Sequence, residues 1–119
     1  MAKGQTAAAK IDVLQGTLDL MVLQTLGSLG PLHGYGIARR IEQISEDVLK
    51  LNEGTVYASL TRLQHQRWIS ASWGVSENNR KARFYAITRA GRRQLARETD
   101  SWQRISGVIA RLLRTAEQS

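Results

Sequence analysis

Residues Ile69, Ala71, Trp73 and Val75 alternate with Ser70, Ser72 and Gly74, a period of two that predicts a strand over this stretch. Ser76 to Arg80 is polar and turn-prone, and Arg83 to Ile87 is a second run rich in aromatic and β-branched residues. The pair predicts a β-hairpin with Asn78, Asn79, Arg80 and Lys81 at or beside its tip. Everything around this hairpin reads as helical, so the expected fold class is mainly α with a small β-hairpin.

Upstream, Gly16 and Thr17 precede Leu18, Met21, Val22, Leu23 and Leu26, a spacing wide enough for a largely buried helix with Thr17 as its cap, closed by Gly27 and then by Gly30-Pro31. After His33-Gly34, Tyr35, Ile37, Ala38, Ile41 and Ile44 fall on one side of a short helix and Arg39, Arg40, Glu42 and Gln43 on the other. Val48 to Leu51 reads as a short extended piece, and Asn52 as the cap of a third helix from Glu53 to about Gln66. On a helical wheel Leu60 and Leu63 lie within about 40° of Val56, while Ala58, Thr61, Arg62 and His65 take the opposite side. Thr88 caps a last long helix, in which Leu95, Trp102, Ile105, Ile109 and Leu112 occupy a and d heptad positions and Glu98 interrupts the seam.

The 119 residues suit one domain, with no internal repeat or linker. The expected organisation is a flexible tail over 1–10, a nucleic-acid-binding unit over 11–88 and a dimerisation helix over 89–119. Seventeen Lys and Arg against ten Asp and Glu leave a formal charge of +7, which favours an anionic partner, nucleic acid ahead of membrane or acidic protein. A chain without cysteine has neither disulfides nor thiolate metal sites and suits a cytoplasmic setting. Asp19, Gln24 and Thr25 interrupt the longest apolar stretch, so no membrane span is expected, and the first ten residues lack the apolar core of a secretory signal.

The order helix, helix, short strand, helix, strand, basic loop, strand is the plan of a winged helix-turn-helix, followed here by a long C-terminal helix. In such proteins the second helix of the motif enters the major groove, where base edges are distinguishable. The pieces Leu32-His33-Gly34-Tyr35-Gly36-Ile37, Glu53-Gly54-Thr55-Val56-Tyr57 with Leu60 and Arg62-Leu63, Trp68-Ile69, Arg80-Lys81-Ala82-Arg83-Phe84-Tyr85 and Ile87-Thr88-Arg89-Ala90-Gly91, in this order, resemble the PadR family of bacterial transcription regulators. The single C-terminal helix is similar to that of its smaller subgroup, where the helix pairs with its partner from a second subunit. The resemblance implies a homodimeric repressor of an inverted-repeat operator in double-stranded DNA, released by a small molecule or another signal. The expected DNA-binding residues are Tyr35, Thr55, Tyr57, Ser59 and Arg62 on the helices and Arg80, Lys81 and Arg83 on the wing. Leu95, Trp102, Ile105, Ile109 and Leu112 are the expected dimer interface. Glu53 and Ala58 replace prolines common in relatives, which puts base preference at the start of the third helix in question.

Two readings stay open at several positions. Tyr57 and Tyr35 are either DNA contacts or partly buried core tyrosines, and Arg62 and His65 either contact DNA or are ordinary solvated side chains. Trp102 is either plain dimer core or, as the resemblance implies, a platform for a planar aromatic effector. His33 and His65 have no partner at metal-ligand spacing. No nucleophile motif is present, Gly34 and Gly36 do not continue into a dinucleotide fingerprint, and neither enzyme activity nor a cofactor is expected. The alternative function, from another class, is a winged-helix module that binds an acidic protein.

Overall fold

The computed structural model describes residues 15–118, so the expected tail over 1–10 lies outside the described residues. Helix α1 (Gln15–Leu29) buries Leu18, Val22, Leu23, Thr25 and Leu26, and Thr25 satisfies its buried hydroxyl by donating to the Met21 carbonyl oxygen at 2.8 Å. Thr17 lies inside this helix and is not its cap. Gly27 does not end it either: the helix runs to Leu29 and stops at Gly30, whose φ of +85° is the left-handed turn that glycine tolerates best.

Strand β1 (Leu32–His33) leads into helix α2 (Gly34–Ile44), where the His33 Nδ1 caps the first turn by accepting from the Gly36 N–H at 3.0 Å. Ile37, Ala38 and Ile41 are buried, while Arg39 and Arg40 face solvent. The extended piece expected at Val48–Leu51 is not a strand. Ser45 Oγ accepts from the Leu49 N–H at 3.1 Å and the Glu42 carboxylate accepts from the Leu51 N–H at 2.9 Å, so two backbone donors go to side chains rather than to a ladder. The strand that the plan requires is β1 instead.

Helix α3 (Glu53–His65) starts as expected at Asn52, whose Oδ1 accepts from the Gly54 N–H at 2.6 Å and the Thr55 N–H at 3.4 Å. Its face of Val56, Leu60 and Leu63 is buried to 1% exposure against α1 and α2. Strands β2 (Ile69–Val75) and β3 (Lys81–Ile87) form the antiparallel hairpin in register from Ile69↔Ile87 to Val75↔Lys81. The sheet order is β1-β3-β2, with β1 paired only to the Phe84–Tyr85 part of β3. Helix α4 (Arg89–Gln118) begins where Thr88 Oγ1 accepts from the Gly91 N–H at 3.0 Å and donates to the Arg67 carbonyl oxygen at 2.8 Å.

One polar contact lies among the apolar ones. Asp19 of α1 accepts from the Ser59 hydroxyl at 2.6 Å and from two Arg62 nitrogens, Nη2 at 2.7 Å and Nε at 3.2 Å, tying α1 to α3. The hydrogen bond to Asp19 is the main influence that holds the Arg62 guanidinium above its usual pKa; desolvation opposes it and the Asp19 charge adds to it. Leu95, expected at the dimer seam, instead packs on the core of its own protomer: a Cβ placed on Gly27 would lie 3.1 Å from its Cδ2. The exposed apolar residues of α4 begin further along, at Trp102.

Two substitutions test this packing in urea melts. A Cβ at Gly91 would overlap the Trp68 carbonyl oxygen, so Gly91→Ala is expected to cost about 2–3 kcal/mol of stability. Asp19→Ala leaves the buried Ser59 hydroxyl and the Arg62 guanidinium without their acceptor, an expected loss of about 1–3 kcal/mol. A double-mutant cycle with Arg62→Met should return a coupling above about 0.5 kcal/mol, and additivity would show that the contact is idle.

Candidate nucleic-acid interface

The outer side of the motif is built from α2, the first turns of α3 and the hairpin. Thr55 and Tyr57 are exposed on the two flanks of α3, on either side of the packing face of Val56, Leu60 and Leu63. The Tyr57 ring lies on Gly34 of α2, where an added Cβ would stand 2.8 Å from its Cζ. The glycine is what allows this seat, and the ring stays 45% exposed, so Tyr57 both packs and is accessible. Tyr35 is 57% exposed. Its ring stacks on His33 at 6.4 Å between centroids, and His33 in turn meets Phe84 edge-on at 5.5 Å. The histidine is a helix cap and an aromatic spacer between α2 and β3.

Tyr35 and Tyr57 line a groove of about 730 Å³ together with Arg39 and Gln43 of α2 and with Trp73, Arg80, Lys81 and Arg83 of the hairpin. Five of the eight expected DNA-binding residues are thus brought to one depression. Among the described residues, Arg80, Lys81 and Arg83 form no ion pair, which leaves their charge available to an outside anion. Arg80 closes the Ser76–Arg80 turn, in which its carbonyl oxygen accepts from the Ser76 N–H at 2.8 Å and Asn79 takes a φ of 59°. The turn holds the cations at the outer end of a ribbon that stands clear of the core.

Three expectations change. Ser59 is fully buried and committed to Asp19, so it is a packing residue rather than a DNA contact. Arg62 does not face outwards as a free cation; its guanidinium lies back on Asp19, with the side chain 31% exposed. Thr55 is exposed on the first turn of α3 but does not line the groove. Arg39 and Trp73 are among the groove residues absent from the expected set. Arg39 was visible on the polar side of α2, yet nothing local linked it to the hairpin. In the sequence Trp73 stands only as an apolar member of the strand alternation.

On the far side of the domain Trp102, 49% exposed, flanks an apolar cavity of about 410 Å³ lined by Leu20 and Met21 of α1, Ile41 and Ile44 of α2, and Leu49. Beyond it Ile105, Val108, Ile109, Leu112 and Leu113 form an exposed apolar stripe on α4. Val108 and Leu113 widen the expected a and d seam. Among the described residues no group of acidic, His or Cys side chains could hold a metal ion, and no helix is long and apolar enough to cross a membrane.

Comparison with known proteins agrees with this geometry. A PadR-like transcriptional regulator from Bacillus cereus superposes with a TM-score of 0.72 at 27% identity, covering 84% of this chain and 94% of that one. Bacillus subtilis PadR in complex with operator DNA shares the fold at a TM-score of 0.62 and 19% identity, over 72% of this chain and 48% of that one. An uncharacterized 37.1 kDa protein in transposon TN4556 of Streptomyces fradiae is 38% identical over 91 residues, which are 76% of this chain but 24% of that protein, so the chain spans about a quarter of its length. The profile of the transcriptional regulator PadR-like family matches residues 22–97, which include Tyr35, Tyr57 and the whole hairpin. With its three-helix core, basic hairpin and long terminal helix, the chain belongs to the PadR-like family, whose members are transcriptional regulators and not enzymes.

Proposed function

We propose that this regulator is a homodimeric repressor that binds an inverted-repeat operator in double-stranded DNA, with α3 in the major groove and the β2–β3 hairpin on the flanking backbone. The observation that carries the reading is the groove in which Tyr35, Tyr57 and Arg39 face the unpaired cations Arg80, Lys81 and Arg83 beside the exposed start of α3. An α-helix fits the major groove, and cations at one side of it suit phosphates, which fix register without carrying sequence information. Thr55 sits where a side chain of the first recognition turn meets base edges. Glu53 in the same exposed turn is favourable at the helix N-terminus but repels phosphate, and so biases which backbone positions approach it. The operator complex of Bacillus subtilis PadR supports the reading by its shared fold.

Dimerisation follows from α4. The stripe from Trp102 to Leu113 is too apolar for a solvent face, and its repeat suits a parallel or antiparallel seam with a second copy. Two copies then present two α3 helices to the two halves of a palindrome. The cavity beside Trp102 supports release by a planar aromatic molecule, for the indole supplies a stacking surface, Leu20, Met21, Ile41, Ile44 and Leu49 supply apolar walls, and Gln24 and Gln103 supply polar groups. Such a ligand releases DNA only by binding the DNA-free arrangement more tightly than the bound one. On this reading the protein acts in the cytoplasm.

Selection from random duplexes should return a palindromic site; recovery of no duplex would favour the acidic-protein reading. On the selected site, Lys81→Ala and Arg83→Ala should each lower the slope of log K against log salt by about one unit and weaken all sequences alike. Unchanged slopes would remove the hairpin from the backbone. In sedimentation, Ile105→Glu combined with Ile109→Glu should give folded monomers, and a persistent dimer would place the interface elsewhere.

A further inference from the structure

One face of the hairpin carries Trp73, Val75, Lys81 and Arg83, with Arg83 directly across from Trp73 and Lys81 across from Val75. Trp73 is 63% exposed and Val75 66%. The strand alternation would bury both, but the outer half of the ribbon runs past the helices that cover Ile69. A large indole held mostly in water is unfavourable for the folded chain. Its recorded ring contact is the Lys81 ammonium, 5.1 Å from the ring centroid. Trp73 also lines the groove that holds Tyr35, Tyr57, Arg80 and Arg83.

We propose that Trp73 is a DNA-contact residue whose indole packs on the deoxyribose of the backbone beside the wing, while Lys81 and Arg83 take the neighbouring phosphates. The inference rests on the reading that the chain binds DNA, and adds an apolar contact to an interface so far argued from charge. The duplex backbone sets apolar sugars beside anionic phosphates, and this face sets an indole and an isopropyl group on β2 beside a guanidinium and an ammonium on β3. The cation–π contact orders the Lys81 ammonium over the ring before any partner arrives, so less side-chain freedom is lost on binding. A sugar contact reads no base edge, so its contribution is the same on every sequence. It also releases no counterions, which separates it from the cations on either side.

The test uses the full chain with two probes, the selected duplex and a random-sequence duplex of equal length. Trp73→Ala should weaken binding about tenfold on both, as expected for truncating one anchored aromatic, with the salt slope unchanged; Trp73→Phe should recover most of the loss. The difference in emission between the parent and Trp73→Phe isolates this indole from Trp68 and Trp102, and it should lose access to acrylamide when either duplex is added. This second readout decides the matter should Trp73→Ala fail to fold by circular dichroism. Parent affinity in Trp73→Ala, or an indole that stays open to acrylamide in the complex, overturns the proposal while leaving DNA binding in place. Protection that rises with protein concentration and not with DNA overturns it in favour of a contact between copies. A parent that binds neither duplex removes the DNA-binding reading itself.

Discussion

The Asp19 carboxylate is the contact on which the placement of α3 depends. Val56, Leu60 and Leu63 bury α3 against α1, but apolar packing is non-directional and tolerates small slides along the interface. Three hydrogen bonds from Ser59 and Arg62 to one carboxylate have defined directions and lengths, and they allow a single register. Replacing such a contact with well-packed apolar groups is often neutral or stabilising, so its value here lies in specificity more than in net stability. The helix that would meet DNA is therefore positioned by α1, whose neighbouring residues Leu20 and Met21 line the cavity beside Trp102. A displacement of α1 at that cavity is carried by the same helix that holds α3.

Most of the architecture was legible from periodicity and caps. Asn52 and Thr88 mark the starts of α3 and α4, where a side-chain oxygen replaces a missing carbonyl, and the alternation from Ile69 to Val75 marks β2. Val48–Leu51 misled because local extension is a matter of backbone angles, whereas a strand needs a partner, and Ser45 and Glu42 had already taken the donors. β1 escaped notice because two residues carry no period. Its existence depends on pairing with β3, some fifty positions away in sequence.

The site was legible where chemistry is local and opaque where it depends on a distant residue. A basic turn between two strands announces Arg80, Lys81 and Arg83 without further help. Ser59 and Arg62 are polar residues on α3, and only the approach of Asp19, 40 positions away from Ser59, converts them into internal contacts. The wheel already set Ser59 nearer the packing direction than Arg62, so its burial was partly foreseeable. Leu95 keeps the heptad register yet faces the core, because the first two turns of α4 pack on α1 before the helix leaves the domain.

The short reach of β1 sets the mechanics of the hairpin. Beside Phe84 and Tyr85 the ribbon is three strands wide, and Tyr85 and Ile69 are buried, while from Arg83 outward it is two strands wide and largely exposed. A two-stranded ribbon is only marginally stable by itself and twists more than a wider sheet. The root is stiff and the tip is compliant. A finger mounted in this way keeps its bearing relative to α2 while its end yields, and on the proposed DNA-binding reading that compliance would let the tip follow variations in groove width without repacking of the core.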